Sequence, residues 1–235
     1  MNKKSKRYRL YEMIPGLAAW FVILFPIWGS FVLPKLVAYF VLTFLVYWLY
    51  QSFKNAILAI NGYFSIKKAQ KTNWLSRFKN DFRAPWLRYA DIHHVIFISS
   101  YQEPIEIIEM AFSSLAAQID IDLRKIHPVL ALEERAGKVD NRTTINYFQR
   151  KYASTFGSLT FTIHPQNTPH EIAGKHTNEA YAAKYFKKYC FKKLNLKLTN
   201  LTLTSCDVDT IFNPQYFSAL TYHFASHPER YHRFW

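Results

Sequence analysis

The pattern of apolar residues divides this chain into a lipid-compatible beginning and a globular remainder. Met13 to Leu33 reads MIPGLAAWFVILFPIWGSFVL, 21 residues without a charge, and a helix of about 20 apolar residues crosses the hydrocarbon of a bilayer. After Pro34 and Lys35 comes LVAYFVLTFLVYWLY, 15 uncharged residues ending at Tyr50. It reaches spanning length by continuing to Ile60, with Gln51 and Lys54 at the interface, where a lysine can snorkel to water. The pattern predicts a basic tail over residues 1–12 and a transmembrane helical hairpin over 13–60. Trp20, Trp28, Tyr47, Trp48 and Tyr50 suit interfacial or helix-contact positions, and Pro26 is placed to kink the first span. The first run is too long for a signal-peptide core and lacks a small-x-small cleavage site. A hydrophobic hairpin buried in a soluble protein would read the same way and stands as the alternative.

Residues 61–90 mix aromatics with bases and predict an amphipathic connector lying along the membrane surface, part of it being a candidate cover for the first strand of the globular part. From residue 91 the periodicity changes. HVIFIS (94–99), HPVLALE (127–133), SLTFTIHP (158–165) and LTLTS (201–205) are short apolar or β-branched runs of strand type. Between and after them, 105–118, 140–153, 174–189 and the stretch following Pro214 read as helices. Alternating strands and helices imply a mostly parallel sheet with flanking helices, whose carboxyl ends gather along one edge. The expected fold is therefore α/β, with the hairpin in front of an incomplete nucleotide-binding-like sheet over 91–235.

Charge refines this picture. The net charge is +14, but residues 1–90 hold 14 Lys and Arg against 2 Asp and Glu, whereas residues 91–235 hold 16 against 14. The basic excess flanks the apolar spans, so anionic lipid headgroups are the expected electrostatic partner rather than nucleic acid. Lys3, Lys4, Lys6, Arg7 and Arg9 precede the first span, and Lys67, Lys68, Lys71, Arg77 and Lys79 come after the second. The positive-inside rule then expects both flanks and the main domain in the cytoplasm of a multi-pass membrane protein. Cys190 and Cys206 have no metal spacing and define no disulfide framework.

Polar groups fall at the ends of the four expected strands, in SSYQEP, EER, HPQNTPHE and CDVD. Asp207 and Asp209, one residue apart after an apolar strand, can face one divalent cation, and hard carboxylates suit Mg²⁺ or Mn²⁺. Ordinary turn or capping chemistry is the competing reading. Glu133 or Glu134 can accept hydrogen bonds from a ribose or a base N–H, or Glu134 can pair with Arg135 at the surface. Lys175, beside Gly174 at a helix start, can face phosphate or solvent; the preceding glycines of a Walker A loop are missing. Asn178 lies on the same helix face. His164, His170 and His176 have no zinc spacing, and the adjacent His93 and His94 would point to opposite faces of a strand.

With these motifs in order, the chain resembles the membrane-bound, polysaccharide-type members of glycosyltransferase family 2. The resemblance rests on VIFISSYQEP (95–104), VLALEE (129–134), GKHTNEAYAAKYF (174–186) and TSCDVDTIFNPQYF (204–217), and covers roughly residues 92–235. It implies a GT-A type fold, a nucleoside diphosphate-sugar donor, Mg²⁺ or Mn²⁺ bridging the diphosphate, and a glycan or lipid-linked acceptor. Carried over by residue, Tyr101 and Glu103 lie beside the nucleoside and Glu133 takes the acidic nucleoside position. Lys175 approaches the donor, Asp207 contacts ribose or metal, and Asp209 is the principal metal ligand. Gln102 stands where the family usually has Asn, and Glu133 where it usually has Asp. The family's later catalytic carboxylate has no counterpart: Glu229 is the sole acidic side chain among the 26 residues after Asp209, without a family landmark around it. The sequence thus predicts a membrane-associated inverting transferase truncated before its base, with the catalytic residue unknown. An inactive donor-binding or assembly subunit, completed by a partner chain, and a non-enzymatic membrane scaffold are the alternatives.

Overall fold

The computed structural model describes residues 6–82, 87–169, 171–172 and 174–234; Lys3, Lys4 and His170 lie outside them. The chain divides into two compact units, Met1–Lys67 and Lys68–Trp235. The first consists of helix α1 (Lys6–Val32) and most of helix α2 (Pro34–Lys71). Both are long and apolar enough to cross a membrane. Only Leu33 separates them: its N–H bonds to the Gly29 carbonyl at 2.7 Å and its own carbonyl accepts from Val37 at 3.1 Å. Pro34 opens α2 at the first helical position, where no N–H is needed. Large apolar side chains such as Leu17, Phe21, Phe44 and Leu49 are exposed in the hairpin.

The connector is divided. Its first part continues α2 without a break to Lys71, because the run from Asn61 contains one glycine and otherwise tolerates a helix. Its second part forms α3 (Trp74–Asp81), capped by Asn73, whose side-chain oxygen accepts from the Ser76 N–H at 2.8 Å. The apolar face of α3 is not available to lipid. Trp74 and Phe78 are buried, the Trp74 ring sits 5.2 Å from that of Tyr222, and the Tyr222 hydroxyl donates to Asp81 at 2.6 Å.

The remainder of the second unit alternates β1 (His93–Ser99), α4 (Ile105–Ala116), β2 (Ile126–Glu133), α5 (Lys138–Tyr152), β3 (Thr160–His164), α6 (Lys175–Tyr185), β4 (Leu201–Asp207) and α7 (Tyr216–Ser226). The strands form one parallel sheet in the order β3-β2-β1-β4. That order dictates the layers. The chain steps outward from β1 to β3 and then crosses back to β4, so right-handed crossovers put α4 and α5 on one face and α6 on the other. The core is split accordingly. Ile96, Ile98, Leu130 and Leu132 pack with α4, α5 and α7, while Val95, Phe97, Val129 and Ala131 pack with Ala182 of α6 and with Phe186. β1 and β2 are almost entirely buried, which is why their sequences lack alternation. β4 is paired on one side and leaves Leu203 and Ser205 exposed.

His93 and His94 do face opposite sides of β1. His94 is fully buried, with Nδ1 2.6 Å from the Thr202 hydroxyl and Nε2 2.9 Å from that of Thr221. Because Thr221 gives its proton to the Phe217 carbonyl at 2.7 Å, Nε2–H donates and Nδ1 accepts, so the neutral ring is satisfied. His93 stacks on His127, whose Nδ1 is 2.9 Å from the Ser158 hydroxyl. Burial holds His94 down at about 3 and His127 at about 4, with neighbouring histidines, and for His127 also Lys125, pushing the same way. Folded values below the unfolded one mean that the unfolded chain takes up more protons, so this stability is present above about pH 6.5 and is lost as pH falls. Between pH 7.5 and 5.5 the two rings together account for about 3 kcal/mol of lost stability. Guanidinium unfolding of the detergent-solubilised chain at the two pH values, with and without His94→Gln, measures it; an unchanged midpoint would refute the assignment.

Candidate active site

Parallel strands bring their carboxyl ends together, and the register fixes which residues meet. Ser99 pairs with Asp207 of β4 on one side and Ala131 of β2 on the other, while Glu133 pairs with His164 of β3. β1 is also where the sheet order reverses, since β2 lies to one side and β4 to the other. In open sheets the crevice at such a reversal, outside the strand ends, is the favoured ligand site. A cavity of about 530 Å³ occupies that position, and Tyr101, Glu103, Glu133, Lys175, Asp207 and Asp209 all line it. All six residues singled out in the sequence are therefore brought together. Its wall carries four carboxylates and two cations, the latter Lys175 and Arg135.

The β1 loop is tied down by Glu103, whose Oε2 accepts from the Ser100 hydroxyl at 2.7 Å and the Tyr101 N–H at 2.6 Å. Partial burial opposes the charge on Glu103, but these hydrogen bonds and those from the backbone of Gln102 and Glu103 outweigh it and hold the carboxyl below its usual range. Glu103 thus shapes the loop that presents Tyr101, in addition to lining the cavity. At the end of β2, Glu133 is buried and its Oε2 accepts from Arg135 Nε, while its carbonyl accepts from Asn141 at 2.9 Å. The pairing considered between Glu134 and Arg135 is not formed. Glu134 instead accepts the Gln166 N–H at 2.9 Å and anchors the β3 loop. Arg135 turns back over the Tyr101 ring, its Cζ 4.3 Å from the centroid.

Lys175 begins α6 after Gly174, and its ammonium donates to Asp207 Oδ1 while lying 3.6 Å from Glu179 Oε1. The hydrogen bond to Asp207 raises the Lys175 pKa against the opposing effect of desolvation, with Glu179 adding to the rise, so the amine stays cationic. Glu179 is held in turn by the Ser205 hydroxyl at 2.8 Å and the Ser99 hydroxyl at 3.3 Å. Asn178 is buried; its Nδ2 donates to the Ala131 carbonyl at 2.8 Å, leaving Oδ1 without a partner among the described residues. Sequence reading missed Arg135 as a wall residue and Glu179 altogether. The i,i+4 spacing of Lys175 and Glu179 was the available signal for the second.

Asp207 and Asp209 flank the buried Val208, and both are exposed at the cavity. Among the described residues no cluster of three or more His, Cys, Asp or Glu side chains is placed to hold a metal ion. Asp207 and Asp209 are oxygen donors of the class that Mg²⁺ takes, one or two at a time, with phosphate oxygens and water completing its shell. Glu229 is not among the lining residues. Comparison with protein-family models, with curated proteins and with solved structures gave no match to this chain.

Proposed function

We propose that this chain binds a nucleoside diphosphate-sugar at the carboxyl edge of its sheet and belongs to a membrane-associated inverting glycosyltransferase of the family 2 type. The observation that carries this reading is the meeting, in one cavity at the sheet reversal, of polar groups from β1, β2, β4 and the start of α6. Tyr101 offers a face for the nucleoside and Glu133 a buried acceptor. Lys175, at a helix amino end, offers a cation and backbone N–H groups to phosphate. Asp207 and Asp209 would hold Mg²⁺ or Mn²⁺, which when bound neutralises the diphosphate as it departs. The anomeric carbon would leave the diphosphate oxygen and bond to an acceptor hydroxyl, whose proton passes to a general base. The apolar hairpin would anchor the site at a membrane, with the domain on the basic, cytoplasmic side.

A second reading, a donor-binding subunit completed by another chain, is favoured by the carboxylates themselves. Glu103 is engaged by its loop, Glu133 by Arg135 and Asp207 by Lys175, while Asp209 is assigned to metal. Among the described residues none lining the cavity remains to take the acceptor's proton. Calorimetric titration of the detergent-solubilised chain with UDP or GDP should show binding in Mn²⁺ that EDTA abolishes. Heat-silent titrations in both, repeated by equilibrium dialysis without retention, would refute both readings. Sugar transfer by the chain alone would separate the enzyme from the subunit.

A further inference from the structure

One end of the cavity is walled by an ion pair of the protein's own side chains. Glu133 and Arg135 line both the cavity of about 530 Å³ and a neighbouring one of about 240 Å³ reaching His164 and Glu171 at the end of β3. The ion pair is thus the partition between them. Its two halves differ in solvation: the Glu133 side chain is 6% exposed, that of Arg135 34%. The buried carboxylate is fixed by its strand, whereas the arginine arrives from the turn after β2 and can swing outward into solvent.

We infer that Arg135 is a self-occluding gate, holding the place of a nucleobase until a nucleotide displaces it. The inference rests on the nucleotide reading above and adds a regulatory residue to it. The chemistry of the contact supports the substitution of one group for the other. A guanidinium is planar, presents N–H donors to a carboxylate and lays its face on an aromatic ring. A nucleobase with an N–H edge has the same three properties, and stacking on an aromatic side chain is the usual way a base is held. Arg135 engages Glu133 Oε2 and the Tyr101 ring at once, so a base that takes those same two places must displace it. The closed arrangement also explains how a buried carboxylate is kept paired when no ligand is bound.

Such a gate lowers apparent affinity by the fraction of molecules that are open. Arg135→Ala should therefore bind UDP or GDP with Mn²⁺ about tenfold more tightly than wild type. Pyrophosphate with Mn²⁺, which has no base, should bind both proteins alike. Arg135→Gln keeps a donor for Glu133 but no cation for Tyr101 and should fall between them; it also serves if the alanine variant fails to fold. Wild-type binding that both variants weaken, or an equal gain for pyrophosphate, overturns the gate while leaving the nucleotide reading intact. Absence of nucleotide binding in the wild type overturns the nucleotide reading and the gate with it.

Discussion

Replacing Asp207 and Asp209 together by alanine is expected to weaken Mn²⁺-dependent binding of a nucleoside diphosphate about 100-fold, roughly 2.7 kcal/mol, without lowering the melting temperature. The magnitude comes from removing both hard anionic ligands that a cation would find at this end of the cavity. Stability is spared because the two side chains are exposed, with that of Asp207 at 72%, and the buried Val208 between them is untouched. The single variants should not be equal. Asp207 already neutralises Lys175, so its loss frees an ammonium that still lies near Glu179 and can turn to phosphate, compensating in part. Asp209 has no such relation, and Asp209→Ala should account for most of the double effect. Titration of the three variants with UDP or GDP, with and without Mn²⁺, decides the matter. Wild-type affinity in the double variant would remove the cation site.

The fold was readable where burial dominates the sequence. HVIFIS and HPVLALE announce β1 and β2 because both faces are covered, leaving no polar alternation to confuse them. The strand boundaries were read less well where pairing rather than composition decides them. β4 runs to Asp207 because Cys206 and Asp207 remain in register with Ile98 and Ser99. β3 begins only at Thr160 because Gly157, whose N–H bonds to the Leu123 and Ile126 carbonyls, holds the preceding turn. The convergence of Tyr101, Glu133, Lys175 and Asp207 was legible from parallel topology alone, since strand ends in such a sheet share an edge. The lateral contacts were not. That Arg135 leans on Tyr101, and that Glu179 gathers hydroxyls from β1 and β4, depends on how separate loops and strands pack side by side, which no local spacing encodes. The division of the connector escaped the sequence for a related reason: Trp74 and Phe78 look equally suited to lipid and to Tyr222 until α7 is in place.

The largest expected loss of stability lies behind the β1 loop, at Phe112 on α4. Its ring is fully buried and stands 4.6 Å from Phe148, 5.5 Å from Tyr152 and 6.3 Å from Phe156. Phe112→Ala removes the member common to all three contacts and leaves a cavity that rigid aromatic neighbours cannot close. Such truncations cost about 3–5 kcal/mol, roughly a fifth or more of the total stability of an ordinary domain. For a unit of this size the midpoint should fall by roughly 10 °C. Phe112→Leu, which refills much of the space, should recover more than half of the loss. Thermal unfolding followed by near-ultraviolet circular dichroism measures both, and a fall under about 1 kcal/mol in the alanine variant would show that this stack does not organise the core. The stack also bears on the site. α4 starts at Ile105, directly after the loop that Glu103 ties down, so the helix and β1 together hold Tyr101 from either side. Nucleotide binding by Phe112→Ala should therefore be near normal well below its midpoint and disappear with unfolding at the lower temperature, separating a weakened scaffold from a damaged cavity.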